Sequence, residues 1–346
     1  MKKLILLVAC ASLLSSSAIA QDVTELFTKG KEAIAKYDKL AGDLMLAKTK
    51  DPNAADATAN ERAALLMEGL NYLNKALPLD TIIEVDKKTG EPKIDKKTGK
   101  PKFKVKYSKE IQDILVGHIN DLGNVGDNYF QANDFANAYV AYGAYADALN
   151  SPLAKERNYV LADSVFGQIL FMQAYSAYQI KDFKNGYNLA KKAMALGFNK
   201  YGVGDVKNSC VANIVQDYVN DKKFAEANTY VDGLLTAEPS GFLYDIKGFV
   251  VEQEKGIADA AEYFKKSMEA GFGNGIFDYG RSLFTKAQAY IEANPDKSNK
   301  ELAPTLIPML KEAKDVLVKA KEAAPESAAG AIVDQLDYQL EQLGAN

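Results

Sequence analysis

The sequence predicts an all-α chain assembled from repeated helical hairpins, with one small inserted β-hairpin. Three observations carry that expectation. Beyond residue 108, apolar residues recur at helical spacing in a background rich in Ala, Leu, Lys, Glu and Tyr, with few β-branched runs. A pattern of small and aromatic residues returns along that stretch in consistent internal phase. One segment breaks the helical period: DKKTGEPKIDKKTGKPKFKVKY, from Asp86 to Tyr107, nearly repeats itself every nine residues and carries nine Lys against three acids.

The first residues, MKKLILLVACASLLSSSAIAQD, place Lys2 and Lys3 before an apolar run from Leu4 to Leu14, then small residues up to Ala20. This is the layout of a secretory leader cut after Ala20, and it is shorter than the ~20 apolar residues a spanning helix needs. Leu7-Val8-Ala9-Cys10 also resembles a lipoprotein lipobox with Cys10 lipidated. The apolar stretch before Cys10 is shorter than the usual ~7–15 residues, which favours the cut after Ala20. The expectation is an exported Gram-negative protein, periplasmic or secreted. Cleavage would leave Cys210 as the single cysteine and exclude an intramolecular disulfide. Its apolar periodic surroundings mark Cys210 as a buried small hydrophobe rather than a reactive thiol.

Asp22 to Lys48 is periodic in Leu26, Phe27, Ile34, Tyr37, Leu40 and Leu44. Ala59 to Leu77 carries Leu65, Leu66, Leu70, Leu73 and Leu77, and Pro78 is expected to stop it. Residues 21–79 therefore read as a capping helical hairpin. Residues 80–108 follow as the Lys-rich β-insertion. Thr81, Ile83 and Val85 alternate before it, and Phe103, Val105 and Tyr107 alternate with Lys102, Lys104 and Lys106 at its end. That is period two, with one apolar and one cationic face. Gly90 and Gly99 suit turns, while Pro92 and Pro101 suit strand edges. A Ca2+ loop at Asp86 to Gly90 is excluded because Lys stands where the EF-hand pattern needs Asp or Asn. Charge separates in the same way: the formal net charge is −4, so a basic appendage projects from an acidic body. It can keep a sheet edge unpaired or meet an anionic partner.

The repeats lie beyond. Leu122-x2-Val125-Gly126-x2-Tyr129 precedes Ala138-x3-Tyr142; Val211-x2-Ile214-Val215-x2-Tyr218 precedes Ala227-x3-Val231; Tyr244-x2-Lys247-Gly248-x2-Val251 precedes Ala260-x3-Phe264. A weaker copy runs Leu170-x2-Gln173-Ala174-x2-Ala177 and then Gly186-x3-Ala190, and Ala313-x3-Leu317 looks like the second half of one more. Asn133-Asp134-Phe135, Lys181-Asp182-Phe183 and Lys222-Lys223-Phe224 fall at the turns between helices. This resembles the tetratricopeptide repeat, a helix–turn–helix unit that stacks into an α-α solenoid. Small residues at Gly126, Ala174 and Gly248 would let paired helices approach, with Ala138, Ala227 and Ala260 opposite them. Tyr142 and Phe264 would fill space toward the next repeat. The units read as about 109–152, 160–200, 205–239, 241–272 and 274–327, with 328–346 as a closing helix. Their uneven spacing asks for linkers at Asn150 to Tyr159, Phe198 to Asp205 and Glu292 to Pro304, or for longer helices. An irregular helical bundle is the alternative.

Catalysis has little to stand on. The chain has one histidine, His118, and no phosphate loop, GxSxG, HExxH or CxxC. Asp245 and Glu252 would serve a hydrolase only if they met across a cleft. No cofactor and no metal site is expected. The resemblance instead implies a ligand groove lined by the first helix of each repeat. Transferring that phase gives Asn120, Asp127 and Phe130; Phe171, Tyr175 and Tyr178; Asn213, Gln216 and Asn220; and Asp245, Phe249 and Glu252. This groove is aromatic in its middle and otherwise amide and acid, unlike the family's basic clamps for carboxylate-ended peptides. It suits a protein or peptide partner, or an envelope glycan, and not nucleic acid. The same aromatics at helical spacing also fit plain packing on the linkers. Asp80-Thr81-Ile82 and Asp163-Ser164-Val165 resemble an O-glycosylation acceptor, although Asp163-Ser164 also reads as a helix N-cap.

Overall fold

The computed structural model describes residues 16–345 except 55, 81, 87, 160 and 326, with the side chains of 16–21, 82 and 103 also left aside. The charged and apolar parts of the leader, Cys10 and Thr81 therefore lie outside the described residues. Two compact units divide the chain, 1–207 and 208–346.

In the first unit, α1 (Ser16–Lys50) and α2 (Ala59–Leu79) pack along one another. They touch most closely where neither has a side chain: a Cβ on Gly30 would lie 2.8 Å from Leu73, and one on Gly69 would lie 2.8 Å from Ile34. Leu66, Leu70, Leu73, Phe27 and Tyr37 are buried around that crossing. Helix α2 runs through Pro78 to Leu79, because Pro at the end of a helix forfeits one hydrogen bond only.

The next residue, Asp80, is completely buried. Its carboxylate accepts hydrogen bonds from the N–H groups of Lys106, Tyr107 and Ser108 at 3.0, 2.7 and 2.6 Å, and from the Ser108 hydroxyl at 2.7 Å. One side chain thus ties together both ends of the insertion and covers the free N–H groups that open α3 (Ser108–Gly117). Burial works against ionising Asp80, but the Ser108 hydroxyl and the three backbone donors hold its carboxyl below the ordinary range.

Between these ends the chain is less regular than period two suggests. Strands β1 (Ile82–Ile83) and β2 (Phe103–Lys104) are two residues each and pair antiparallel, followed only by isolated bridges at Val85–Pro92 and Ile94–Pro101. Pro92 and Pro101 supply no N–H, so the ladder cannot continue through them. Most of the expected apolar face is not covered: Ile83, Val85 and Val105 are 39–55% exposed, as is Ile94 outside that face, and among the described residues only Tyr107 is seen stacked on the helices, against Phe27 at 4.2 Å. The nine-residue period has a local cause. In each DKKTG copy the Asp side chain accepts from the next two backbone positions but one, Lys88 and Thr89 or Lys97 and Thr98. Gly90 and Gly99 then close the turn at φ of 74° and 66°.

Helices α4 (Ile119–Gln131) and α5 (Phe135–Asn150) form the next hairpin, and after the short α6 (Pro152–Glu156) come α7 (Asp163–Gln179) and α8 (Phe183–Ala195). Helix α9 (Val203–Asn220) continues the chain across the boundary between units. The second unit holds α10 (Phe224–Ala237), α11 (Gly241–Lys255), α12 (Ile257–Glu269), α13 (Gly273–Glu292), α14 (Asn299–Ala323) and α15 (Ala329–Gln342), each packed on the next.

The same turn recurs. Asn133, Lys181 and Lys222 adopt positive φ of 58°, 63° and 58°. In each case that residue's N–H reaches back three positions and the following N–H reaches back five, the Schellman closure of a helix end. Asp134 and Asp182 then cap α5 and α8 by accepting from Asn137 and Asn185. The polar–polar–Phe triplets are therefore one turn geometry written three times.

The small positions do their work against a ring. A Cβ on Gly126 would sit 2.7 Å from Tyr142, and one on Gly248 would sit 2.4 Å from Phe264. This corrects the pairing expected from sequence: the partner of the small residue is the large residue sixteen positions on, not the alanine between. Ala138, Ala227 and Ala260 are fully buried beside it, as are Ala174 and Ala190 in the weaker copy. Between Glu292 and Pro304, where the spacing asks for a linker or a longer helix, a link over 293–298 precedes a long helix. Helix α14 begins at Asn299 on a Ser298–Glu301 capping box and carries Pro304 and Pro308 within it, held by buried Leu302, Leu306 and Leu310. Nor do Asp163 and Ser164 cap α7. The cap position is Ala162, without a side-chain bond.

Gly248→Ala should destabilise by about 1–3 kcal/mol through overpacking against Phe264. The same change at Gly42, which has open space around it, should stabilise by about 0.5–1 kcal/mol; urea melts of the two variants check the opposite signs. Asp80→Ala should cost about 2–3 kcal/mol by orphaning charge-assisted donors. For the wild type, that stabilisation is present above the unfolded carboxyl pKa and fades as pH falls through the lower folded value, so the gap in Tm between wild type and variant should narrow in acid.

Candidate functional site

The aromatic groove positions of the first unit form one connected ladder. Phe130, at the end of α4, packs on Phe135 at 5.4 Å between ring centroids and on Tyr175 of α7 at 5.5 Å. Tyr175 also meets Phe135 at 6.0 Å and Tyr178 at 6.5 Å, and Tyr178 meets Phe183 at 5.9 Å. Phe130, Tyr175 and Tyr178 are half-buried, with part of each side chain left to solvent. Phe171 is different. It is 5% exposed and packs on Phe198 at 5.5 Å, so it belongs to the core and not to a ligand surface. It shares a helix face with Tyr175, 6.4 Å away between ring centroids, but stands one turn earlier on α7, beside the Gly197-Phe198 turn that follows α8. The ladder continues beyond Phe198 to Tyr201, 74% exposed.

Most of the polar groove positions already have partners inside the chain. Asn120 accepts from the Tyr159 hydroxyl. Asp127 accepts from the Tyr142 hydroxyl at 2.6 Å, and burial together with that bond raises the Tyr142 phenol. In the second unit, the Asn213 amide donates to the Ser209 carbonyl at 2.8 Å, and Gln216 donates to Asn220 at 2.9 Å. Phe249 is half-buried. Tyr218 packs at a tilt on Tyr230, 6.3 Å between ring centroids, and Tyr129 is half-buried at its repeat position, its phenol raised by burial and by Asp134.

Asp245 and Glu252 face a guanidinium. Arg281 of α13 holds Glu252 in a two-pronged bond at 2.7 and 2.8 Å and Asp278 at 2.9 Å. Asp245 accepts weakly from the Ser267 hydroxyl at 3.4 Å. Burial first, then the charge of Asp278, pushes Asp245 up to about 7 against the pull of Ser267 and Arg281. Asp278 is raised too, again by burial first. Sequence reasoning missed Asp278 and Arg281, although an acid three residues before an arginine on a periodic helix is a legible ion pair. Lys247, read only as a repeat position, is 5% exposed and paired with Asp232 at 2.7 Å.

His118 stands between α3 and α4, its Nδ1 2.8 Å from Asp121 and its ring 5.6 Å from Tyr37. The Asp121 bond raises its pKa against the effect of burial, with a smaller push from Asp38. Cys210 is fully buried. Among the described residues there is no cluster of three or more His, Cys, Asp or Glu suited to a metal ion, and no helix is long and apolar enough to cross a membrane.

No family model matches the chain, and no curated protein matches it. Similar solved structures include a TPR repeats protein from Bacteroides fragilis (17% identity, 64% of this chain and 98% of that one, TM-score 0.36). They also include the P58(IPK) TPR domain (13%, 93% and 99%, TM-score 0.30) and the TPR2AB-domain:pHSP90 complex of yeast Sti1 (12%, 83% and 96%, TM-score 0.24). At such TM-scores sites cannot be superimposed. The fold is tetratricopeptide-like on the strength of this chain's own repeated turns and Gly–aromatic contacts.

Between about pH 4 and 7 the folded chain keeps a proton on Asp245 that the unfolded chain releases, so this group lowers stability as pH rises through that window. Asp245→Asn should therefore stabilise the fold at pH 8 by about 1–2 kcal/mol after solvent screening, seen as a higher Tm, and leave Tm unchanged near pH 4. Thermal melts at the two pH values check the sign.

Proposed function

We propose that the chain is a non-enzymatic scaffold that binds a partner protein or peptide along the Phe130–Tyr175–Tyr178 face and works in the periplasm or at the cell envelope. The observation that carries this reading is the ladder itself: rings from successive hairpins and their turns form one strip with part of each side chain open. Such rings offer large contact area with few rotatable bonds and a polar edge for hydrogen bonding. The polar groove positions contribute less, because Asn120, Asp127 and Glu252 are engaged with Tyr159, Tyr142 and Arg281. The leader-like first twenty residues favour an exported setting.

A photocrosslinking residue placed at Tyr178 in cells should yield polypeptide adducts in the envelope fraction. The same residue at Tyr338, 63% exposed on α15, should not. Adding Tyr175→Ala should weaken capture about tenfold, the cost of losing one aromatic anchor. Equal adducts at both positions, or a glycan adduct in place of a polypeptide, would overturn the reading.

A further inference from the structure

The first unit contains a cavity of about 940 Å3 bounded by α2, α3, α4, α5 and α6, and no ladder residue lines it. That volume lies near the upper end of ligand pockets, roughly 300–1,000 Å3. Its floor is apolar, built on buried Leu70, Ile119 and Leu122 with Leu77, Leu115 and Leu153 beside them. Its rim is polar, and every charged side chain in the wall is an acid: Glu68, Asp147 and Glu156. Three amides, Asn71 and Asn74 of α2 and Gln112 of α3, complete it. Among the described residues, none of these six side chains has a hydrogen-bond or ion-pair partner within the chain. Glu68, Asn71, Asn74, Asp147 and Glu156 are exposed and Gln112 is half-buried, so their polar groups face solvent at the rim.

We propose that this cavity binds an apolar peptide segment flanked by Lys or Arg. The floor takes apolar side chains that would otherwise face water. The rim carboxylates complement a cation and repel an acidic or carboxylate-ended ligand, so charge sets the choice of partner. The amides argue for a peptide rather than a simple cationic amphiphile. Asn71 and Asn74 lie three residues apart on one face of α2, and each amide both donates and accepts, as a peptide backbone requires. The site stands independently of the aromatic ladder, since the two share no residue.

The test uses the purified protein and two fluorescein-labelled twelve-residue peptides, one of Leu and Lys and its Leu/Glu counterpart, titrated by anisotropy. The Leu/Lys peptide should bind at least about tenfold more tightly. The surface double variant Glu68→Lys/Asp147→Lys should erase that preference, and Ala148→Trp, which fills the cavity wall, should weaken binding by a similar factor. Tyr175→Ala should leave binding unchanged, which separates this site from the ladder. If circular dichroism shows that Ala148→Trp has not folded, the double variant decides alone. Equal affinity for the two peptides overturns the proposal. So does Leu/Lys binding that survives folded Ala148→Trp, which would be general attraction to an acidic protein. Displacement of the peptide by an equal concentration of dodecylamine would assign the cavity to small amphiphiles and overturn the peptide reading.

Discussion

Two helices of a repeat come together only as closely as the residues at their crossing permit, and here the crossing leaves no room for a Cβ. At Gly126 the space is filled by the Tyr142 ring, and at Gly248 by the Phe264 ring, with hypothetical Cβ contacts of 2.7 and 2.4 Å. The capping hairpin meets the same constraint by other means, Gly30 and Gly69 facing each other's backbone. Such spacing brings Ala138 and Ala260 to full burial against the neighbouring helix. The turns serve that constraint. A Schellman closure followed by an aspartate cap at Asn133-Asp134 and Lys181-Asp182 fixes where each second helix begins, hence which residue meets the glycine or alanine.

Asp80 plays the corresponding part for the insertion. Twenty-odd residues leave the helical array at α2 and return at α3, and a single buried carboxylate gathers both ends. Because that closure is made at the base, the arms outside it can be short in pairing and rich in exposed apolar and basic side chains without disturbing the helices. Their DKKTG repeat is explained by turn chemistry, with aspartate accepting from the backbone and glycine at positive φ.

The two candidate binding regions differ in how much of their polarity is already spent. Along the groove, phenols, amides and Arg281 satisfy the carboxylates and carbonyls, leaving aromatic edges as the open chemistry. Around the cavity, acids and amides surround an apolar floor with no internal partner among the described residues. Asp245 belongs to the first kind. Its raised pKa follows from a crowded, shielded cluster of like charges that one guanidinium only partly neutralises.

Local chemistry was legible in the residues. Helical period, the recurring small-residue motif, the polar–polar–Phe turns and the DKKTG turns each act within some twenty residues, and each was readable from the chain; that Gly126 and Gly248 meet the Tyr142 and Phe264 rings was not. So was the aromatic stripe that Tyr175 and Tyr178 form on α7. The long-range choices were not. Phe171 and Tyr175 stand four residues apart on one helix, yet only packing against Phe198 decides that the first is core and the second half-open. Pro304 and Pro308 argue for a linker, and burial of Leu302, Leu306 and Leu310 overrides them. The pairing of Glu252 with Arg281 and the cavity between α2 and α6 depend on residues brought together from distant segments. Sequence determined the repeat unit because its constraints are local; tertiary structure alone decided which faces stay open, because burial is a property of neighbours.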